Sequence, residues 1–296
     1  MDIARPTPRA RVGAPRAMST TYRGAPAIDV RGAEGSRATL TEHGAHVVRW
    51  DGPDGDERVF TSRAAVLDGA RAIRGGIPIC FPQFSDLGPC ATSHGFARCV
   101  RWETKETRVG RCAMTTRATS EEFKAPHETT YEVELLDDGS MRMTLRVRNA
   151  GAEAFGFTTA LHTYFRVGDA ERTRVELGRR GLTYLDNLDG RRAKVDEGDT
   201  VVFEGEVDRI YKSAPGTIRI VDEASSNGPR TFHIEKSESF PDAVVWNPWI
   251  EKARKMSDFG DEEYREMVCV EVACVDEIVV APGSTWVGSQ TISVSK

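Results

Sequence analysis

Apolar and polar residues alternate with a period of two along much of this chain. Tyr131, Val133 and Leu135 are separated by Glu132 and Glu134. After the turn-forming stretch Asp137–Ser140, Met141, Met143, Leu145 and Val147 repeat the pattern. That is the signature of a β-hairpin with one wet face, because successive side chains on a strand point to opposite sides. Shorter runs of the same kind occur at Ala38–Thr41, His46–Trp50, Thr217–Val221, Thr231–Ile234 and Ala243–Trp246. The chain closes with Glu277–Val280 and Trp286–Val294 around the turn Ala281-Pro-Gly-Ser. Many short strands punctuated by Gly, Pro, Asn and Asp predict a sandwich or barrel. One stretch departs from the pattern. In Glu251–Glu266, Ala253, Met256 and Phe259 lie three apart amid charge, which predicts a short surface helix or an ordered loop. No internal repeat or linker divides the strands, so residues 24–296 are expected to form one β domain.

The first residues differ in composition. Arg, Ala and Pro dominate, Asp2 is the only acid of the first twenty, and Pro6, Pro8 and Pro15 interrupt any helix. The expectation is a disordered tail over residues 1–23, with an organelle transit peptide as the alternative. Elsewhere 29% charged and 39% hydrophobic residues describe an ordinary globular protein. No apolar run is long enough to span a membrane as a helix. A net charge of −5 argues against a nucleic-acid surface. Six cysteines without C-x-x-C or zinc spacing predict reduced thiols in a cytoplasmic compartment.

Several residues could carry chemistry. Arg74 and Arg98 sit beside glycines, with Ser93 and His94 between them. Free backbone N–H groups and planar guanidinium donors suit a phosphate or carboxylate. His162 lies in FTTALHTYFRV, where a strand would put Thr158, Ala160, His162, Tyr164 and Arg166 on one face. It is either a polar-cavity histidine or a structural one. Glu271 shares a face with Met267 and Cys269, opposite Val268, Val270 and Val272. It either meets water or sits in a pocket that raises its pKa. Asp208 reads as a turn carboxylate or a ligand contact. Trp246 and Trp249 flank Asn247-Pro248, which suits a sugar face or a core. His43 and His46 have loose metal-like spacing without a strong third ligand, so no metal and no other cofactor is assigned.

Seven short motifs occur here in one order: IRGGIP–FPQF, HGFAR, LHTYF, DRIY, VVWNPW, DFGDEEY and MVCVE. Together they resemble the glucose-6-phosphate 1-epimerase (hexose-6-phosphate mutarotase) branch of the aldose 1-epimerases, over roughly Ala38 to Val294. The resemblance implies the galactose mutarotase-like fold, an all-β antiparallel supersandwich with few short helices. It also implies His162 and Glu271 as the acid–base pair, and Arg74, Arg98 and Asp208 as substrate-binding residues. Ser93 stands where the family commonly has glutamine, and the loop Ser85–Thr92 also departs from the pattern. Both bear on which sugar hydroxyls are read, so Ser93 and His94 join the predicted substrate site.

The implied reaction interconverts the α and β anomers of a hexose 6-phosphate. Glu271 would take the O1 proton and His162, initially protonated with support from Asp208, would protonate O5 from the opposite side of the ring. Arg74 and Arg98 would hold the phosphate. The expected protein is a monomer whose partner is a small sugar phosphate. The competing readings are a mutarotase for neutral aldohexoses, which would need no arginine clamp, and a non-catalytic sugar-binding protein of the same fold. A cupin-like metal enzyme lacks its ligand cluster.

Overall fold

The computed structural model describes residues 18–296, which form three antiparallel sheets. A four-stranded sheet runs Met18–Tyr22, Ala25–Arg31, Arg37–Thr41 and Val47–Asp51 in chain order. A nine-stranded sheet contains the predicted hairpin, as His127–Leu135 paired with Met141–Asn149, flanked by Thr285–Ser295. The eight-stranded sheet has the strands Val207–Tyr211, Asp242–Asn247, Met267–Val280 and Phe155–Leu161 side by side at its centre.

Alternation explains how that central sheet serves two purposes. Val268, Val270 and Val272 face inward and join Leu145, Val147, Ile234 and Phe232 of the nine-stranded sheet in one buried core. Ala243 and Val245 on the neighbouring strand do the same. The intervening residues face the other way. Trp246, Met267 and Cys269 join Tyr164 and Phe259 in a second cluster, and Val244, Ile210 and Ala273 join Phe84 in a third. One face of the sheet is therefore core, and the other is the floor of a cleft.

Two expectations need correction, and a third is refined. Met18–Tyr22, placed in the tail, is a strand in register with Ala25–Asp29, so the sheet begins earlier than composition suggested; the rest of the tail, residues 1–17, lies outside the described residues. The stretch Phe157–Val167 is not one strand. It breaks at His162–Thr163 between Phe155–Leu161 and Tyr164–Arg166, although both halves pair with Met267–Val280 and the alternation of faces survives. The segment Glu251–Glu266 is both helix and loop: an α-helix over Trp249–Lys255, then a 3₁₀ turn over Glu263–Glu266. No helix among the described residues is long and apolar enough to cross a membrane.

Candidate active site

The cleft on the outer face of the eight-stranded sheet holds a cavity of about 420 Å³. His162, Glu271 and Asp208 line it, and so do Arg74, Arg98, Ser93 and His94. Segments far apart in the chain thus bring the seven residues expected for catalysis and substrate binding to one place.

Strand register sets the acidic side. Glu271 is opposite Val244, and Asp208 is opposite Trp246 on the next strand along. His162 comes from the strand break, where its N–H donates to Pro78 O at 3.0 Å and Thr163 N–H turns back to Leu161 O. Its ring is fixed on three sides. Tyr164 stacks on it at 4.8 Å between centroids and 12° between planes, Trp246 meets it edge-on at 5.9 Å, and His94 tilts against it at 5.4 Å.

His162 Nδ1 lies 3.3 Å from Glu271 Oε1. Among the described residues neither His162 Nδ1 nor Glu271 Oε2 has a hydrogen-bond partner, although both atoms are buried. Such unsatisfied polar atoms are rare in a folded interior and mark places kept for a ligand or a reaction. Glu271 is only 2% exposed, which resolves in favour of a pocket the choice its sequence left open. Burial raises its pKa well above the usual carboxylate range, and the Asp208 charge raises it further while Arg98 opposes. Burial lowers that of His162 well below the usual imidazole range, with His94, Arg98 and Arg74 pushing the same way. Each partner is therefore biased to its uncharged form.

This bears against three sequence expectations. Burial and the nearby cations bias the imidazole against starting protonated, and the Asp208 charge acts on Glu271 instead of being among the groups that shift His162. The two groups also stand side by side instead of on opposite sides of a ring. Since O1 and O5 of a pyranose are bonded to the same carbon, adjacent groups reach adjacent oxygens.

The basic side is built from turns. Arg74 precedes Gly75 and Gly76, both at positive φ, and a Cβ on Gly76 would fall 2.2 Å from Val47 O. Only glycine lets the segment pass that close to the four-stranded sheet. His46 and His43, the residues with metal-like spacing, spend Nε2 on this same segment: His46 bonds Gly75 O at 2.6 Å and His43 bonds Arg71 O at 2.9 Å. Arg74 is then oriented by Asp258, which accepts from Nε at 3.2 Å and Nη2 at 3.4 Å, and by Tyr164 Oη at 3.2 Å from Nη1. Arg98 is held differently. Its Nη2 donates to Ser93 O at 2.7 Å, and its Nε is buried without a partner among the described residues. Ser93 thus serves Arg98 through its backbone carbonyl.

His94 and Ser85 both adopt positive φ and bond each other twice, Ser85 N–H to His94 Nδ1 at 3.1 Å and His94 N–H to Ser85 O at 2.7 Å. Burial and the two arginines lower the His94 pKa to about 3. A neutral ring that accepts at Nδ1 keeps its proton on Nε2, so His94 is a fixed neutral donor.

Four comparisons bear on this arrangement. The aldose 1-epimerase family model matches residues 26–293. The chain belongs to that family. A protein of Cenchrus ciliaris described as "Putative glucose-6-phosphate 1-epimerase" is 39% identical over 281 residues, covering 90% of this chain and 84% of its own length. One of the same description from Escherichia coli K12 is 32% identical over 251 residues, covering 81% of each. In fold, the crystal structure of "a putative mutarotase" from Salmonella typhimurium superposes with a TM-score of 0.80 at 23% identity, covering 96% of this chain and 97% of that one. The aldose 1-epimerase described here is therefore an isomerase acting at the anomeric carbon, on the galactose mutarotase-like fold.

Some lining residues escaped the sequence reading. Asn187 donates to Asp208 Oδ1 at 2.6 Å, and Lys252 spans Glu206 at 2.8 Å and Asp208 at 3.7 Å. Asn187 sits in a charged 3₁₀ turn and Lys252 in a charged helix, with nothing in either segment to set them apart. Gln83, in FPQF, is fully buried and ties the loop Ser85–Thr92 together through Cys90 N, Cys90 O, Ser85 O and Thr92 O. Of the two tryptophans, Trp246 lines the cavity, while Trp249 packs on Tyr264 at 5.2 Å.

Proposed function

We propose that this epimerase interconverts the anomers of hexose 6-phosphates, with Glu271 and His162 moving the protons. The observation that carries the reading is the pair itself: two unsatisfied, buried, oppositely shifted groups 3.3 Å apart, beside two arginines. Glu271 removes the O1 proton, the O1 electrons form the C1=O1 bond, the C1–O5 bond breaks, and O5 takes a proton from His162. Rotation about C1–C2 and the reverse steps give the other anomer. Positioned proton transfer of this kind contributes roughly 10²–10⁴-fold per group.

Phosphate fits the electrostatics as well as the arginines. Arg74 and Arg98 help hold His162 neutral. A dianion beside them offsets that field and favours transfer of the pair's proton from Glu271 to His162, leaving a carboxylate base and an imidazolium acid. Nδ1 faces Glu271, so Nε2 is the nitrogen left for O5. The polyol end of the sugar meets Asp208, Asn187 and Trp246, and His94 supplies a neutral N–H. A reducing, cytoplasm-like compartment accords with six free thiols.

The deciding experiment is an anomerisation assay on glucose 6-phosphate, glucose and galactose at equal concentration. The expected outcome is a kcat/KM on the phosphorylated sugar at least tenfold above either neutral one. Equal rates on all three would leave a mutarotase of neutral hexoses.

A further inference from the structure

A second cavity of about 440 Å³ adjoins the first and shares Arg74, Arg98 and Met256 as walls. Its charge is one-sided. Arg71, Arg74, Arg98 and Lys255 line it against a single carboxylate, Asp258. That carboxylate is already engaged on two nitrogens of Arg74. Among the described residues, Arg71, Arg98 and Lys255 form no ion pair, in a chain whose net charge is −5. Arg71 reaches only Ser257 Oγ, at 3.3 Å. Its backbone is pinned from beneath, since His43 binds its carbonyl. The buried Arg98 Nε still lacks an acceptor. Like charges gathered around a concavity repel one another unless an anion is bound between them, and focusing by the walls strengthens the attraction for one.

We propose that Arg71 and Lys255 extend the arginine clamp into this second cavity, as outer, specificity-determining residues for the phosphoryl group. The proposal rests on the reading of the first cavity as the anomerisation site. The sugar ring lies over Glu271 and His162, and its 6-phosphoryl group passes between Arg74 and Arg98 into the cationic chamber. Because Asp258 occupies one edge of Arg74, the dianion draws on Arg98 and on the two outer cations for the rest of its charge compensation. A neutral hexose ends at the shared wall and gains nothing from Arg71 or Lys255.

Two measurements on the full chain test this separately from the reaction. Calorimetric titration with inorganic phosphate should show binding that weakens about tenfold in the double variant Arg71→Ala/Lys255→Ala, the loss of two solvent-exposed charge-assisted contacts worth a few-fold each. Absence of phosphate binding by the unmodified protein, or equal affinity in both proteins, would overturn the subsite. Kinetically, the ratio of kcat/KM for glucose 6-phosphate to that for glucose should fall by a similar factor, and rising salt should erase the difference. An unchanged ratio would also overturn it. Lys255→Glu, at an exposed helix position, guards against a folding artefact and should lower the ratio further than Lys255→Ala. If phosphate binds as expected but no anomerisation of any sugar occurs, the reaction reading fails and the anion site stands.

Discussion

Glu271 illustrates what a single side chain can cost a fold. With its folded pKa raised by burial, it binds a proton that the unfolded chain has released once pH exceeds the usual carboxylate range. The folded state then holds more protons than the unfolded one, and stability falls as pH rises through that interval. Glu271→Gln removes this dependence. Its melting temperature should be higher than the parent's at neutral pH, and the two should converge toward pH 4, as calorimetric scans across pH would reveal. The same variant should lose roughly 10²–10⁴-fold in kcat, as should His162→Ala. On the proposed mechanism both residues act in one step, so the double variant should be little worse than either alone. Coupled titration of the pair also shapes the pH profile. On that mechanism singly protonated enzyme is the active form whichever partner holds the proton, so kcat/KM should trace a bell. Its acid limb should lie below the usual histidine range and its alkaline limb above the usual carboxylate range. A profile with a single limb centred near the ordinary histidine value would contradict that picture.

At the level of elements, the cleft depends on backbone geometry that the side-chain pattern only partly encodes. Gly76 admits no Cβ beside Val47 O and His46. Gly76→Ala should displace Arg74, and the expected result is a lower melting temperature together with a weaker preference for phosphorylated sugar. Period-two alternation made the strands legible, including the inward valines around Glu271, because half-buried sheets leave that trace whatever their function. The break at His162–Thr163 left none, since both sides of it keep the same alternation. Site membership was legible only through the conjunction of motifs: Asp208 alone looks like a turn residue, and its partners Asn187 and Lys252 come from segments far away in sequence. Protonation was the least legible. It depends on how much water three folded segments exclude from His162, and no local pattern carries that.

Across the whole molecule, the four-stranded sheet begins with an edge strand whose outer residues are largely exposed. A chain starting at Arg23 loses the pairing of Met18–Tyr22 with Ala25–Asp29 and little apolar burial. It should melt slightly lower and keep its kcat/KM, because none of those residues lines the catalytic cavity. A fall in kcat/KM would tie the edge strand to the cleft.

The strand that carries Glu271 is flanked on both sides by other strands, and its alternate residues are buried in the main core. The amides of Val270 and Val272 should therefore exchange hydrogen with solvent only when the entire domain opens, among the slowest in the protein. Loops around the cleft, by contrast, can breathe without disturbing that strand. Opening of the cleft's rim should therefore leave the Glu271 carboxyl in place. A packing defect such as Val270→Ala, made on the far side of the sheet from any sugar, should couple the two timescales, speeding exchange at residue 272 and slowing catalysis in the same protein.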